Sequence, residues 1–161
     1  MKNPSSYILK KLVFILIFSF CNSSSATQEI SVEESEDTIA VSSTTLTYLN
    51  QNGQEVIEDL TNKKTLIVFW ADYWGICREE LPLLEKNIEK LSETYDVIAL
   101  AHSEVEPTME WVNNNLNGAL NIGFSTNNLR DELQVVGQPI SIIFDTNGEI
   151  LSREFGYIPS N

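Results

Sequence analysis

Leu66-Ile67-Val68-Phe69-Trp70 is an unbroken apolar run. A strand without polar alternation has to be covered on both faces, so this segment belongs at the centre of a sheet with a layer on either side. A helical pattern follows almost at once. Ile76, Leu81, Leu84, Ile88 and Leu91 recur mostly at steps of three and four, which predicts an amphipathic helix with its Glu and Lys side chains outward. Pro82 falls more than a turn inside that pattern and predicts a kink or a distorted first turn.

The same logic extends in both directions. Leu46–Leu49 and Gln54–Ile57, joined by Asn50-Gln51-Asn52-Gly53, read as a hairpin with an Asn-Gly turn. Val97–Leu100 is a second buried strand. Pro107 is expected to open a helix with Met109, Val112 and Leu116 on one face, ended by Asn117-Gly118. A short helix near Asn127–Leu133 has Thr126 as its cap. Ile140–Phe144, a turn at Asp145-Thr146-Asn147-Gly148, and Glu149–Phe155 form an antiparallel hairpin. This order of elements is that of an α/β sandwich with a mixed sheet.

The N-terminus is of another kind. Lys10 and Lys11 precede Leu12–Phe20, where only Ser19 is polar, an apolar stretch suited to a signal peptide and too short to span a bilayer. Cleavage after Ser24-Ser25-Ala26 and lipidation at Cys21 are competing routes. Residues 1–26 are therefore expected to be a signal segment and 27–45 an acidic, disordered linker carrying Glu29, Glu33, Glu34, Glu36 and Asp37. Residues 46–161 are left as the folded domain. The expected location is the periplasm or cell envelope, with membrane association only through the N-terminus.

Net charge is −13, and without Lys2, Lys10 and Lys11 only seven basic residues face 23 acidic ones. Phosphate backbones need a basic footprint, so a nucleic-acid partner is not expected. Of the two cysteines, Cys21 is removed or lipidated, leaving Cys77 as the one thiol of the domain. One histidine, His102, and one cysteine do not make a metal site, and no phosphate loop or Ser-His-Asp set is visible. No cofactor is expected.

Three strings carry a resemblance. Phe69-Trp70-Ala71 leads into Trp74-Gly75-Ile76-Cys77; Cys77-Arg78-Glu79-Glu80-Leu81-Pro82 follows; and Val136-Gly137-Gln138-Pro139 precedes the strand Ile140–Phe144. Together they resemble the thioredoxin superfamily and, within it, exported thiol-disulfide oxidoreductases of the TlpA/ResA type, over roughly residues 46–158. The resemblance implies a thioredoxin-like α/β fold with a central mixed sheet flanked by helices. It also implies that the Leu46–Ile57 hairpin is an N-terminal extension, that Pro139 is cis, and that a last helix is missing, which would leave one sheet face under-covered. Trp74 stands where the attacking cysteine of Cys-x-x-Cys belongs, and Ile76 where its proline does.

Disulfide exchange needs an attacking thiolate and a second, resolving thiol. Indole supplies no sulfur, so ordinary dithiol exchange is expected to be impaired and enzymatic activity is left open. Cys77 is either a small buried apolar group or a single reactive thiol, aided by Arg78, in a peroxidase or thiol transferase of peroxiredoxin-like type. Glu80 matches a carboxylate that assists proton movement in the family, or is a surface charge. Either Tyr73, Trp74 and Trp70 form aromatic surface beside Gln138 and Pro139, a place to capture peptide, or Pro139 and Trp70 merely preserve the fold. The expected partners are exported proteins or peptides and a membrane redox partner. His102 and Trp111 are expected to be structural.

Overall fold

A computed structural model describes residues 43–156. The expectations for the signal segment, Cys21, the rest of the linker and any helix beyond the last strand lie outside these residues. The elements in chain order are β1 (Thr45–Leu49), β2 (Glu55–Asp59), β3 (Lys64–Trp70), α1 (Gly75–Lys86), α2 (Ile88–Leu91) and β4 (Tyr95–Ala101). They continue with α3 (Val105–Asn115), β5 (Asn121–Phe124), α4 (Asn127–Glu132), β6 (Ile140–Phe144) and β7 (Ile150–Phe155).

The strands make one seven-stranded sheet in the order β2-β1-β5-β4-β3-β6-β7. β3, β4 and β5 are parallel neighbours, whereas β6 runs antiparallel to β3 and β7 antiparallel to β6. The unbroken apolar run is thus central, as its lack of alternation requires. Leu66, Val68 and Trp70 pack with Cys77, Leu81 and Leu84 of α1 and Val112 of α3. Ile67 and Phe69 face the other way, against Leu129 and Leu133, with Ile98, Leu100, Ile140 and Ile142 around them. Each such buried side chain contributes roughly 1.5–3 kcal/mol.

Several local expectations change. The helical pattern is interrupted at Asn87, whose φ of −98° and ψ of 3° leave the helix. Its side-chain amide donates to the Leu83 carbonyl at 2.7 Å, so α1 ends there and α2 restarts the same periodicity. α1 continues through Pro82. Ile76 is 53% exposed rather than inward, because it lies on the first turn, at the edge of the packed layer. Pro107 does not open α3 but sits within its first turn, where a missing N–H costs little. Thr126 caps α4 as expected, its hydroxyl accepting from the Leu129 N–H at 3.1 Å.

β5 is a strand that periodicity did not reveal, since Asn-Ile-Gly-Phe is short and interrupted by Gly123. The glycine is required by packing: a Cβ there would sit 2.6 Å from Tyr48 Cδ2 and 2.8 Å from Leu100 Cδ2. β1 joins the sheet beside β5 through the single pair Leu49 and Phe124. At the opposite edge no helix follows β7 among the described residues. On the α1 face β7 offers Ser152, half-buried and paired with Ile143, so polar groups meet solvent there.

Glu85 contradicts the expected outward face of α1, being buried. Its carboxylate binds the loop after α3, accepting from the Asn117 N–H at 2.8 Å and the Ala119 N–H at 2.9 Å, with the Asn117 side-chain amide at 3.1 Å. Burial acts to raise its pKa, but the N–H groups of Asn117 and Ala119 outweigh that, and the net position is below the ordinary value of 4.5. A depressed folded-state pKa adds stability that is present above 4.5 and lost as pH falls through the folded value. Glu85→Gln should therefore cost about 1.5–3 kcal/mol at neutral pH in urea unfolding, with the gap from wild type closing as the solution is acidified.

Candidate functional site

The site is built where β3 runs out and α1 begins. The Trp70 carbonyl accepts from the His102 N–H at 2.8 Å, tying the ends of β3 and β4. Asp72 is buried; its Oδ1 accepts from the Thr108 hydroxyl at 3.2 Å, and that hydroxyl lies 2.9 Å from Ser103 Oγ. Arg78 Nε donates to the Asp72 carbonyl. Trp74 then turns the chain, its N–H donating to the Ala71 carbonyl at 3.2 Å and its carbonyl accepting from the Arg78 N–H at 3.1 Å. Trp74 is the N-cap of α1 in extended conformation, and no side chain caps the helix. Indole lacks an acceptor, so the helix start is left without a side-chain partner.

Trp74 and Tyr73 are 47% and 58% exposed. Cys77 is 1% exposed. Burial pushes its thiol up, a hydrogen bond with the Ala71 backbone offsets part of this, and the charge of Glu80 raises it further. Glu80 is half-buried with Oε2 enclosed and without a hydrogen-bond partner among the described residues; burial, then Glu79, holds its carboxyl above the ordinary range. Burial thus shifts both groups toward their neutral forms, and each neighbouring carboxylate adds to the shift. Arg78 Nε is committed to the Asp72 carbonyl, and the helix carries the Cys77 sulfur inward.

Opposite lies the Gln138–Pro139 peptide bond, which is cis as the resemblance implied. The Pro139 carbonyl accepts from the Gly156 N–H at 3.0 Å, joining this loop to the end of β7. Among the described residues the N–H and C=O of Gln138 engage no other backbone group. Its side chain is engaged: Oε1 accepts from Arg130 Nη2 at 3.2 Å, and Nε2 donates to the Tyr73 hydroxyl at 3.4 Å. That hydroxyl donates to the His102 carbonyl at 3.4 Å. Exposed Val136 and Phe155 flank the loop.

The structure thus brings Tyr73, Gln138 and Pro139 together, and places Cys77 beneath with Glu80 beside it. Of its two readings Trp70 takes the one that preserves the fold. It is fully buried, tilted at 52° against Trp111 with ring centres 5.6 Å apart, and adds no exposed aromatic surface. Trp111 packs on Trp70, and His102 bonds the end of β3 through its backbone N–H; burial and then Arg130 hold the His102 imidazole below its ordinary pKa. Arg130 and Asp72 were not singled out by sequence, since a lone Arg on a short helix and a lone Asp before Tyr carry no pattern.

A hollow of about 300 Å³, lined by Asp72, Arg78, Pro107, Glu110, Trp111 and Asn114 among others, adjoins the start of α1. A second, of about 330 Å³, lies between β1 and α4, and nothing in its lining comes from the Trp74 or Pro139 loops. No described helix is long and apolar enough to cross a membrane.

This arrangement is the thioredoxin-like fold. No protein-family model and no curated protein sequence matches the chain. Solved structures do. The thioredoxin domain of a thiol-disulfide oxidoreductase from Bacteroides vulgatus aligns with TM-score 0.59 at 20% identity, covering 70% of this chain and 84% of that one. StoA from Bacillus subtilis aligns at 0.61 and 19%, covering 74% and 92%. The pneumococcal exposed lipoprotein thioredoxin from Streptococcus pneumoniae aligns at 0.60 and 17%, covering 71% and 90%. At such identities the likeness establishes the fold.

Burial makes a prediction for the thiol. Cys77 in the native protein should react with a maleimide far more slowly at neutral pH than in urea. The native rate should climb only as pH passes above the ordinary thiol value near 9.0.

Proposed function

We propose that this chain is an exported thioredoxin-fold protein of the cell envelope, impaired in dithiol exchange, that holds extended peptide segments against the Pro139 loop. One observation carries the reading: the exposed helix start bears the Trp74 indole, while Cys77, three positions on, is 1% exposed. Exchange begins with an accessible thiolate. Here the accessible group is aromatic and the thiol is enclosed and favours its proton. What remains at the surface suits peptide: aromatic side chains at Tyr73 and Trp74, apolar Val136 and Phe155, and the backbone of Gln138, which among the described residues engages no other backbone group. Main-chain pairing supplies affinity and apolar neighbours supply selectivity. A single-cysteine peroxidase using Cys77 is the other reading. It fits less well, because peroxide would have to reach a sulfur beneath the helix start, and the neighbouring Glu80 opposes the thiolate. Export and envelope location rest on the N-terminal pattern and on the exposed lipoprotein among the structural neighbours. The carboxylate of Glu80 is assigned no proton to move while its partner thiol is absent.

The test uses ribonuclease A with its cysteines carboxamidomethylated, an unfolded basic chain that cannot exchange disulfides. The protein should bind it in fluorescence anisotropy, and Trp74→Ala should weaken binding about tenfold, the worth of one buried aromatic contact. Insulin reduction by dithiothreitol should not be accelerated. Acceleration that disappears in Cys77→Ala would overturn the proposal. Trp74→Cys should restore a disulfide to Cys77 and, with it, insulin reduction.

A further inference from the structure

We infer that Arg130 is a positioning residue for the peptide-facing loop, acting through the side chain of Gln138; the inference rests on the peptide-binding reading above. Arg130 lies on α4 and is only 9% exposed. No carboxylate oxygen comes within ion-pair distance of it among the described residues. Asp131, its chain neighbour, is exposed and acts only through its field, and Nη1 is enclosed without a hydrogen-bond partner. Burying a guanidinium without a carboxylate is costly, and an aliphatic side chain would fill the space against Phe69 without that cost. The residue therefore calls for a reason beyond packing.

Its contacts supply one. The guanidinium lies over the Phe69 ring, 6.0 Å from its centre, at the outer reach of a cation–π contact. Nη2 donates to the Val135 carbonyl at 3.3 Å and to Gln138 Oε1 at 3.2 Å. These acceptors stand at the two ends of the loop before Pro139, so one cation closes the loop from beneath. It also decides which way the Gln138 amide points. A guanidinium only donates, so it takes the amide oxygen, and the amide nitrogen is left to face the Tyr73 hydroxyl. Tyr73 in turn is fixed by its bond to the His102 carbonyl. Each contact is long and weak alone. In series they hold the two sides of the groove, the Tyr73 turn and the Gln138 backbone, in one relation to each other, which reduces the ordering cost when a peptide pairs there.

The experiment uses the full-length protein and the carboxamidomethylated ribonuclease A probe. Arg130→Met keeps the aliphatic stem and removes the donor; Gln138→Met removes the acceptor without touching the core. Each should weaken probe binding about tenfold, the loss expected for one hydrogen bond to a charged group, and the double variant should be no weaker than either single. In NMR, the Gln138 side-chain amide resonances should collapse to free-glutamine positions in Arg130→Met. The Arg130 guanidinium resonances should move in Gln138→Met, which decides the matter should the first variant not fold. A lowered melting temperature in Arg130→Met with unchanged Gln138 resonances and affinity would overturn the inference, as would losses that multiply in the double variant. If the wild-type protein does not bind the probe, the peptide-binding reading falls, and the resonances still decide whether Arg130 holds Gln138.

Discussion

The structure depends on burying β3 from both sides. Leu66, Val68 and Trp70 are sealed by α1 and α3, and Ile67 and Phe69 by the α4 side, so the strand's direction and end point are fixed by packing. Because β3 is held, so is its carbonyl end, and the Trp70 carbonyl meeting the His102 N–H places the start of α1 and the end of β4 side by side. Everything chemical in the molecule is hung from that point: the Tyr73-Trp74 turn, the buried sulfur one turn on, and the Gln138–Pro139 loop opposite.

That framework sets which side chains meet solvent at the start of α1. A thioredoxin-like scaffold presents the N-cap of its first helix to solvent and draws the residue three positions later into the core. With indole outside and thiol inside, this geometry yields an exposed aromatic over an enclosed sulfur. The electrostatics agree, since desolvation and Glu80 raise the Cys77 thiol together. The chemistry of the site is decided by which side chain stands at position 74, whereas the shape of the site is decided by the sheet beneath it.

Much was legible in the sequence because local pattern and global layer agree. The apolar run at 66–70 could only be central, the Thr126 cap names its own helix, and the three motif strings place the turn, the helix and the proline loop in order. The misses have physical reasons. β5 is too short and too glycine-rich to show a period, and its glycine answers to Tyr48 across the sheet. Glu85 reads as an outward helix charge, yet the loop after α3 needs an acceptor and pulls it inward. Trp70 reads equally as site surface or as core, and its tilted contact with Trp111 inside the fold decides for core.

By itself the sequence determined the layered α/β class, the central strand and the placing of Trp74 three positions before Cys77, since each of these follows from residue type and spacing along the chain. The tertiary structure alone decided that Cys77 is enclosed and that Trp70 is core rather than surface. It alone joined Tyr73, Gln138 and Arg130 from three segments around one groove. Burial and hydrogen bonding between residues far apart in the chain have no local signature, because they are created only when the helices close over the two faces of the sheet.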